Sequence, residues 1–165
     1  MFRRLLPIAA TVAALCVASP SVGVADPVIY DYPAGLACPG FDLRLEIAGA
    51  PHETSKEFYD KNGGLVRFHA AGRGNALKFI NLNTGAFLPL KMNGYSVAVV
   101  FNPDGSLRAK SLGHVVLIMS PAEFPPGPST TLYVGQLVYT VDPAGVFTLE
   151  STRGNSTDIC AALSD

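Results

Sequence analysis

The stretch Tyr139-Thr140-Val141-Asp142-Pro143-Ala144-Gly145-Val146-Phe147-Thr148-Leu149 decides the fold. Pro143 has its φ already set for the second position of a type I turn. Gly145 stands where a left-handed residue closes a three-residue hairpin loop. Pairing Asp142 with Val146 then puts Val141 opposite Phe147 and Tyr139 opposite Leu149 on one apolar face. Thr140 meets Thr148 on the other.

The same turn chemistry recurs at Asp60-Lys61-Asn62-Gly63, Leu82-Asn83-Thr84-Gly85 and Asn102-Pro103-Asp104-Gly105. Each ends on Gly because a Cβ is penalised at positive φ. Pairing Asn102 with Ser106 sets Phe101 against Leu107 and Val99 against Ala109, with Arg108 and Lys110 on the opposite face. Pairing Asp60 with Gly64 brings Glu57 opposite Arg67 and Phe58 opposite Val66, and places His69 on the solvent side with Arg67. A two-residue turn at Asn62-Gly63 would slip that register by one and set Glu57 against Phe68; the longer loop is preferred.

Between the turns, Phe41-Asp42-Leu43-Arg44-Leu45-Glu46-Ile47 alternates as a half-buried strand. Further strands are expected at 76–81, 86–90, 115–119 and 131–141. Val115-Val116-Leu117-Ile118-Met119 lacks alternation and reads as a central strand covered on both faces. The segment 120–130 contains Pro121, Pro125, Pro126 and Pro128 and is expected to cross between parts of the sheet. The last stretch, 157–163, reads as an edge strand or a helical turn. The predicted fold is all-β: a single-domain antiparallel β-sandwich or closed β-barrel built from hairpins, with about ten short strands.

Residues 1–25 read as a secretory signal peptide: Arg3 and Arg4, an apolar run from Leu5 to Ala18, Pro20, then Gly23 and Ala25, with cleavage expected after Ala25. Arg3-Arg4 lacks the polar lead-in of a twin-arginine signal. Cys16, preceded by Leu15, lacks a lipoprotein setting and reads as part of the leader. No second apolar segment of about 20 residues follows, so no transmembrane anchoring is expected. Residues 26–165 form one domain of about 140 residues, and the predicted location is extracellular.

The chain carries 12 Lys and Arg against 13 Asp and Glu, and loss of Arg3 and Arg4 makes it more acidic, which argues against a nucleic-acid partner. Cys38 and Cys160 are the two cysteines left after cleavage. In an oxidising compartment they admit one intramolecular disulfide, closing a loop of 122 residues, and their separation is unlike a redox Cys-x-x-Cys pair.

No catalytic, cofactor or metal residue is assigned. Gly94-Tyr95-Ser96-Val97-Ala98 approaches the Gly-x-Ser-x-Gly elbow, but no helix follows and Ala98 replaces the last Gly; an outward-facing strand serine explains Ser96. His52, His69 and His114 lack metal-site spacing. Ala71-Gly72-Arg73-Gly74-Asn75 reads as a loop between strands, without the Lys-Ser/Thr pair of a nucleotide loop. Asp60, Asn62 and Gly63 match only a fragment of a calcium loop. Asn155-Ser156-Thr157 is a formal glycosylation sequon. A glycan platform would have to use Tyr30, Tyr32 or Tyr59, since the chain has no Trp. Phe124, on the proline-rich crossing, is the candidate contact residue.

At Ala34-Gly35-Leu36-Ala37-Cys38-Pro39, Asn102-Pro103-Asp104-Gly105, Ser129-Thr130-Thr131-Leu132-Tyr133-Val134-Gly135 and Ser156-Thr157-Asp158-Ile159-Cys160, the chain resembles a group of small secreted actinobacterial proteins of unknown function. The resemblance covers most of the region after the leader and implies export and the disulfide, with no catalytic residues to transfer. The expected function is a secreted, non-catalytic binding or cell-envelope-associated module. A β-barrel carrier of a small apolar ligand is the alternative; it needs inward residues small enough to leave a cavity, whereas Phe41, Phe58, Phe79, Phe101 and Phe147 are large enough to fill one. A secreted hydrolase ranks third.

Overall fold

A computed structural model describes residues 26–164. The leader, its cleavage point after Ala25, and Cys16 lie outside the described residues. Ten strands and one short helix follow in the order β1 (Val28–Tyr32), β2 (Leu43–Ala48), β3 (His52–Tyr59), β4 (Leu65–Arg73), β5 (Ala76–Asn81), β6 (Phe87–Lys91), β7 (Tyr95–Phe101), β8 (Leu107–Met119), β9 (Ser129–Val141), β10 (Phe147–Asp158) and α1 (Ile159–Ala162).

The strands form two sheets, β1-β2-β5-β6 and β10-β9-β8-β7-β4-β3, with every neighbouring pair antiparallel. The barrel expectation is therefore corrected, because closure needs every strand to have two neighbours, and β1, β6, β10 and β3 are edges. The chain changes sheet between Ala48 and His52, between Arg73 and Ala76, and between Lys91 and Tyr95. These connections are too short to do more than turn a corner.

Alternation in β2 and β5 puts Leu43, Leu45 and Phe79 into one core with Ala37, Cys38, Phe41, Ile159, Cys160 and Leu163. Val116, Ile118 and Leu132 of the larger sheet pack against it, so the two sheets share that core. The Cys38–Cys160 disulfide lies inside it, with Cα atoms 5.5 Å apart. The C-terminal segment resolves both expectations: β10 runs to Asp158, whose side chain accepts from Ala161 N at 3.0 Å and starts α1. Asn81 Nδ2 donates to the Leu163 carbonyl at 2.9 Å, fastening the end of the chain to β5.

The hairpin at Asp142–Val146 has the expected register, Val141 with Phe147 and Tyr139 with Leu149, and so has that at Asn102–Ser106. The hairpin at 82–85 differs. Asn81 N donates to Ala86 O, making a four-residue loop, because Leu82 N donates outside the hairpin to Asp42 O at 2.9 Å.

In the first hairpin the loop closes as expected, Asp60 N to Gly64 O. A bulge beside Phe58 and Tyr59 then shifts the ladder, so that Phe58 pairs with Arg67 and Glu57 with Phe68. The inserted residue, Val66, moves every later side chain of β4 by one position relative to β3. Phe58 thus leaves the set of interior phenylalanines. Phe41 and Phe79 are buried, while Phe101 and Phe147 are half-buried.

The central-strand expectation for 115–119 is also corrected. β7 pairs only with Leu107–Gly113, and after His114, whose N donates to Gly94 O, residues 115–119 run past it with β9 as their hydrogen-bonded neighbour. Met119 is buried and the preceding four residues are half-buried.

Candidate functional site

Residues directly opposite one another on neighbouring strands share a face. Across β3, β4, β7 and β8 the outer face of the larger sheet therefore carries two rows, Lys56-His69-Ala98-Lys110 and Phe58-Arg67-Val100-Arg108. A third row, Thr54-Ala71-Ser96-Leu112, continues through Gln136 to Arg153 on β10.

Ala71, Ser96 and Ala98 are short side chains on the two middle strands. They leave a groove of about 550 Å³ walled by Lys56 and His69 on one side and by Lys110 and Leu112 on the other. Phe58 organises the rim. The Lys56 ammonium lies 5.0 Å and the Arg67 guanidinium 4.8 Å from its ring centroid, and His69 meets its edge at 5.2 Å. Cations over an aromatic face are attracted by the ring quadrupole, which holds two like charges close together here.

Glu150, which pairs with Arg108 at 2.8 Å, is the acidic side chain on this face among the described residues. Glu53 and Glu57 of β3 alternate to the other side, where Glu57 accepts from the Tyr59 hydroxyl and raises the Tyr59 pKa above its ordinary value. A chain of net negative charge thus presents Lys56, Arg67, Lys110 and Arg153 on one surface, outside the three ion pairs formed among the described residues.

A second concavity, of about 530 Å³, opens between the two sheets where the chain crosses from one to the other. Pro51, Asn75 and Met92 come from the three crossings, and Leu77, Val97 and Val116 are among its apolar walls.

The sequence-derived candidates are scattered. Ser96 sits mid-strand on β7 in the floor of the groove, outside any strained turn. His69 lies on the groove rim, His114 lines the cleft between the sheets, and His52 is exposed at the start of β3. The segment from Ala71 to Asn75 is not a loop throughout. Its first three residues end β4, and only Gly74 and Asn75 form the crossing to β5.

Asn155 is exposed on the edge strand β10. Phe124 pairs through its backbone with the β10 edge, donating to Phe147 O at 3.0 Å and accepting from Leu149 N at 2.8 Å, while the residue stays 62% exposed. Among the described residues no group of three or more His, Cys, Asp or Glu side chains has the arrangement of a metal site, and no helix is long and apolar enough to cross a membrane.

The paired exposure of Arg67 with His69 and of Arg108 with Lys110 was legible as strand alternation. Their assembly into one surface with Lys56 and Arg153 was not, because it depends on which strands become neighbours. Comparison of the chain with protein-family models, curated proteins and solved structures finds no match.

Proposed function

We propose that this chain is an exported, disulfide-stapled, two-sheet binding domain that acts without catalysis and docks a polyanionic partner of the cell envelope on the outer face of its six-stranded sheet. One observation carries this reading: Lys56 and Lys110 wall a groove floored by small residues, with Arg67 in the adjacent row beside Phe58 and Arg153 further along the same face. Clustered cations around a concave surface raise the local concentration of an anionic polymer and orient it. Export, supported by the leader and by the disulfide, directs attention to anionic glycans rather than to nucleic acid. Ser96, lying in a regular strand, gives no support to the hydrolase alternative.

The test uses the mature protein and immobilised polygalacturonate. Retention at low ionic strength and release by salt are expected, since exposed charges are screened within about 8 Å at 0.15 M. The triple variant Lys56→Ala, Arg67→Ala, Lys110→Ala is expected to lose at least about tenfold in affinity, as removing several exposed contacts of a few tenths to 1 kcal/mol each implies. The pair Lys78→Ala, Lys91→Ala on the smaller sheet is the control. Equal retention of both variants would refute the assignment of this face. Recovery of a secreted form beginning at Asp26, with no alkylatable thiol before reduction, tests export and the disulfide.

A further inference from the structure

We propose that the cleft between the two sheets is a separate binding site for a small neutral amphiphile, an apolar body carrying a hydroxyl or amide N–H donor. The reasoning starts from Asn75. Among the described residues its Oδ1 is the one buried side-chain polar atom with no hydrogen-bond partner, and an acceptor left dry and unpaired is destabilising. Asn75 belongs to the crossing from β4 to β5, where Gly74 N donates to Met92 O at 3.2 Å and ties this crossing to the one after β6. The acceptor is therefore held by two short, mutually bonded connections and lines a volume of about 530 Å³.

The rest of the lining defines the ligand. Ile47, Leu77, Met92, Val97 and Val116 suit an apolar body. Ser111, which is 5% exposed, adds a hydroxyl to this wall, and the Tyr139 ring is braced from behind by a stacked Phe147 at 4.9 Å. Glu53 is the formally charged residue in the lining, which also holds His114, Tyr95 and Tyr139. A carboxylate or phosphate ligand would meet the Glu53 charge, whereas a neutral donor would meet Asn75 Oδ1 without that repulsion. A mostly apolar concavity with a few convergent polar groups is the usual form of a small-molecule site. The cleft opens at the sheet crossings and shares no residue of the cationic rim, apart from the strand neighbour Val97 beneath the groove, so this inference stands or falls independently of the polyanion reading.

The experiment titrates isotope-labelled mature protein with 1-octanol, octane and octanoate and follows amide and side-chain resonances. Saturable shifts confined to Asn75, Ser111, Val116 and their neighbours are expected with 1-octanol, and weaker or no shifts with the other two. Asn75→Leu is expected to weaken 1-octanol binding at least about tenfold, the equivalent of one lost hydrogen bond, while its thermal midpoint stays the same or rises. If Asn75→Leu does not fold, the wild-type shift map and the order of the three probes decide the matter alone. No saturable shift with 1-octanol, equal response to all three compounds, or unchanged affinity in a folded Asn75→Leu would overturn the proposal, a lone water then satisfying Asn75.

Discussion

Thr130 Oγ1 donates a 2.9 Å hydrogen bond to the backbone carbonyl of Ala37, 93 residues away, and neither residue exposes any surface. The bond lies next to Cys38, so the N-terminal segment is fastened to β9 by a polar contact and to α1 by a covalent one. Thr130→Val keeps the shape of the side chain and leaves the Ala37 carbonyl dry and unpaired. A loss of about 1–3 kcal/mol is expected, and Thr130→Ser is expected to retain the hydrogen bond. Urea denaturation of both variants checks this.

Removing the covalent link has a larger effect. The disulfide closes a loop of 122 residues, for which the chain-entropy model gives roughly 4–5 kcal/mol. The double variant Cys38→Ala, Cys160→Ala is expected to lose about that much, measured by urea or thermal unfolding against the oxidised parent. The released segments are expected to gain hydrogen exchange at Ala37 and Ile159 first.

A close approach between backbones sets a third expectation. Gly113 has φ +97°, and a Cβ there would lie 2.2 Å from Gly94 O, the same oxygen that accepts from His114 N. Gly113→Ala must move β8 away from the crossing before β7, at an expected cost of at least about 1–3 kcal/mol. Unfolding midpoints compared with Gly49→Ala, where nothing crowds the added carbon and only the positive φ is strained, separate the steric part.

Two exposed carboxylates give stability a pH dependence. Arg44 donates to both oxygens of Asp31, at 2.7 and 2.8 Å, and holds its pKa below the ordinary value. Hydrogen bonds from Ser106 do the same for Asp104. A depressed folded-state pKa means stability that is present above the ordinary Asp range and is lost as pH falls toward the depressed value. Carboxyl carbon titrations are expected to show midpoints below that range at both residues, and Arg44→Ala is expected to return Asp31 toward it while leaving Asp104 unchanged.

The exposed ring of Phe124 contributes little to the fold, because the backbone rather than the side chain joins the β10 edge. Phe124→Ala is expected to change stability by no more than about 0.5 kcal/mol, whereas Leu43→Ala, fully buried, is expected to cost about 2–5 kcal/mol. Parallel denaturation curves check both.

Local residue patterns were enough for the alternating strand β2, the hairpin turns at Asn102–Gly105 and Asp142–Gly145 and the pairing of Cys38 with Cys160, whereas β1, the loop at 82–85 and the ladder beyond Tyr59 were not read from them. A turn such as Asp142-Pro143-Ala144-Gly145 depends on the dihedral limits of a few adjacent residues, and alternation in 43–47 reports burial without reference to the rest of the chain. Only the tertiary structure decided that β5 returns beside β2 and β7 beside β4, since pairing of distant strands is a competition among long-range closures. It also decided which face Phe58 occupies, because the bulge at Val66 changes parity where no turn residue announces it. The cationic surface and the cleft around Asn75 follow from those choices. Lys56, Arg67, Lys110 and Arg153 are dispersed along the chain, and only strand order brings their charges onto one face.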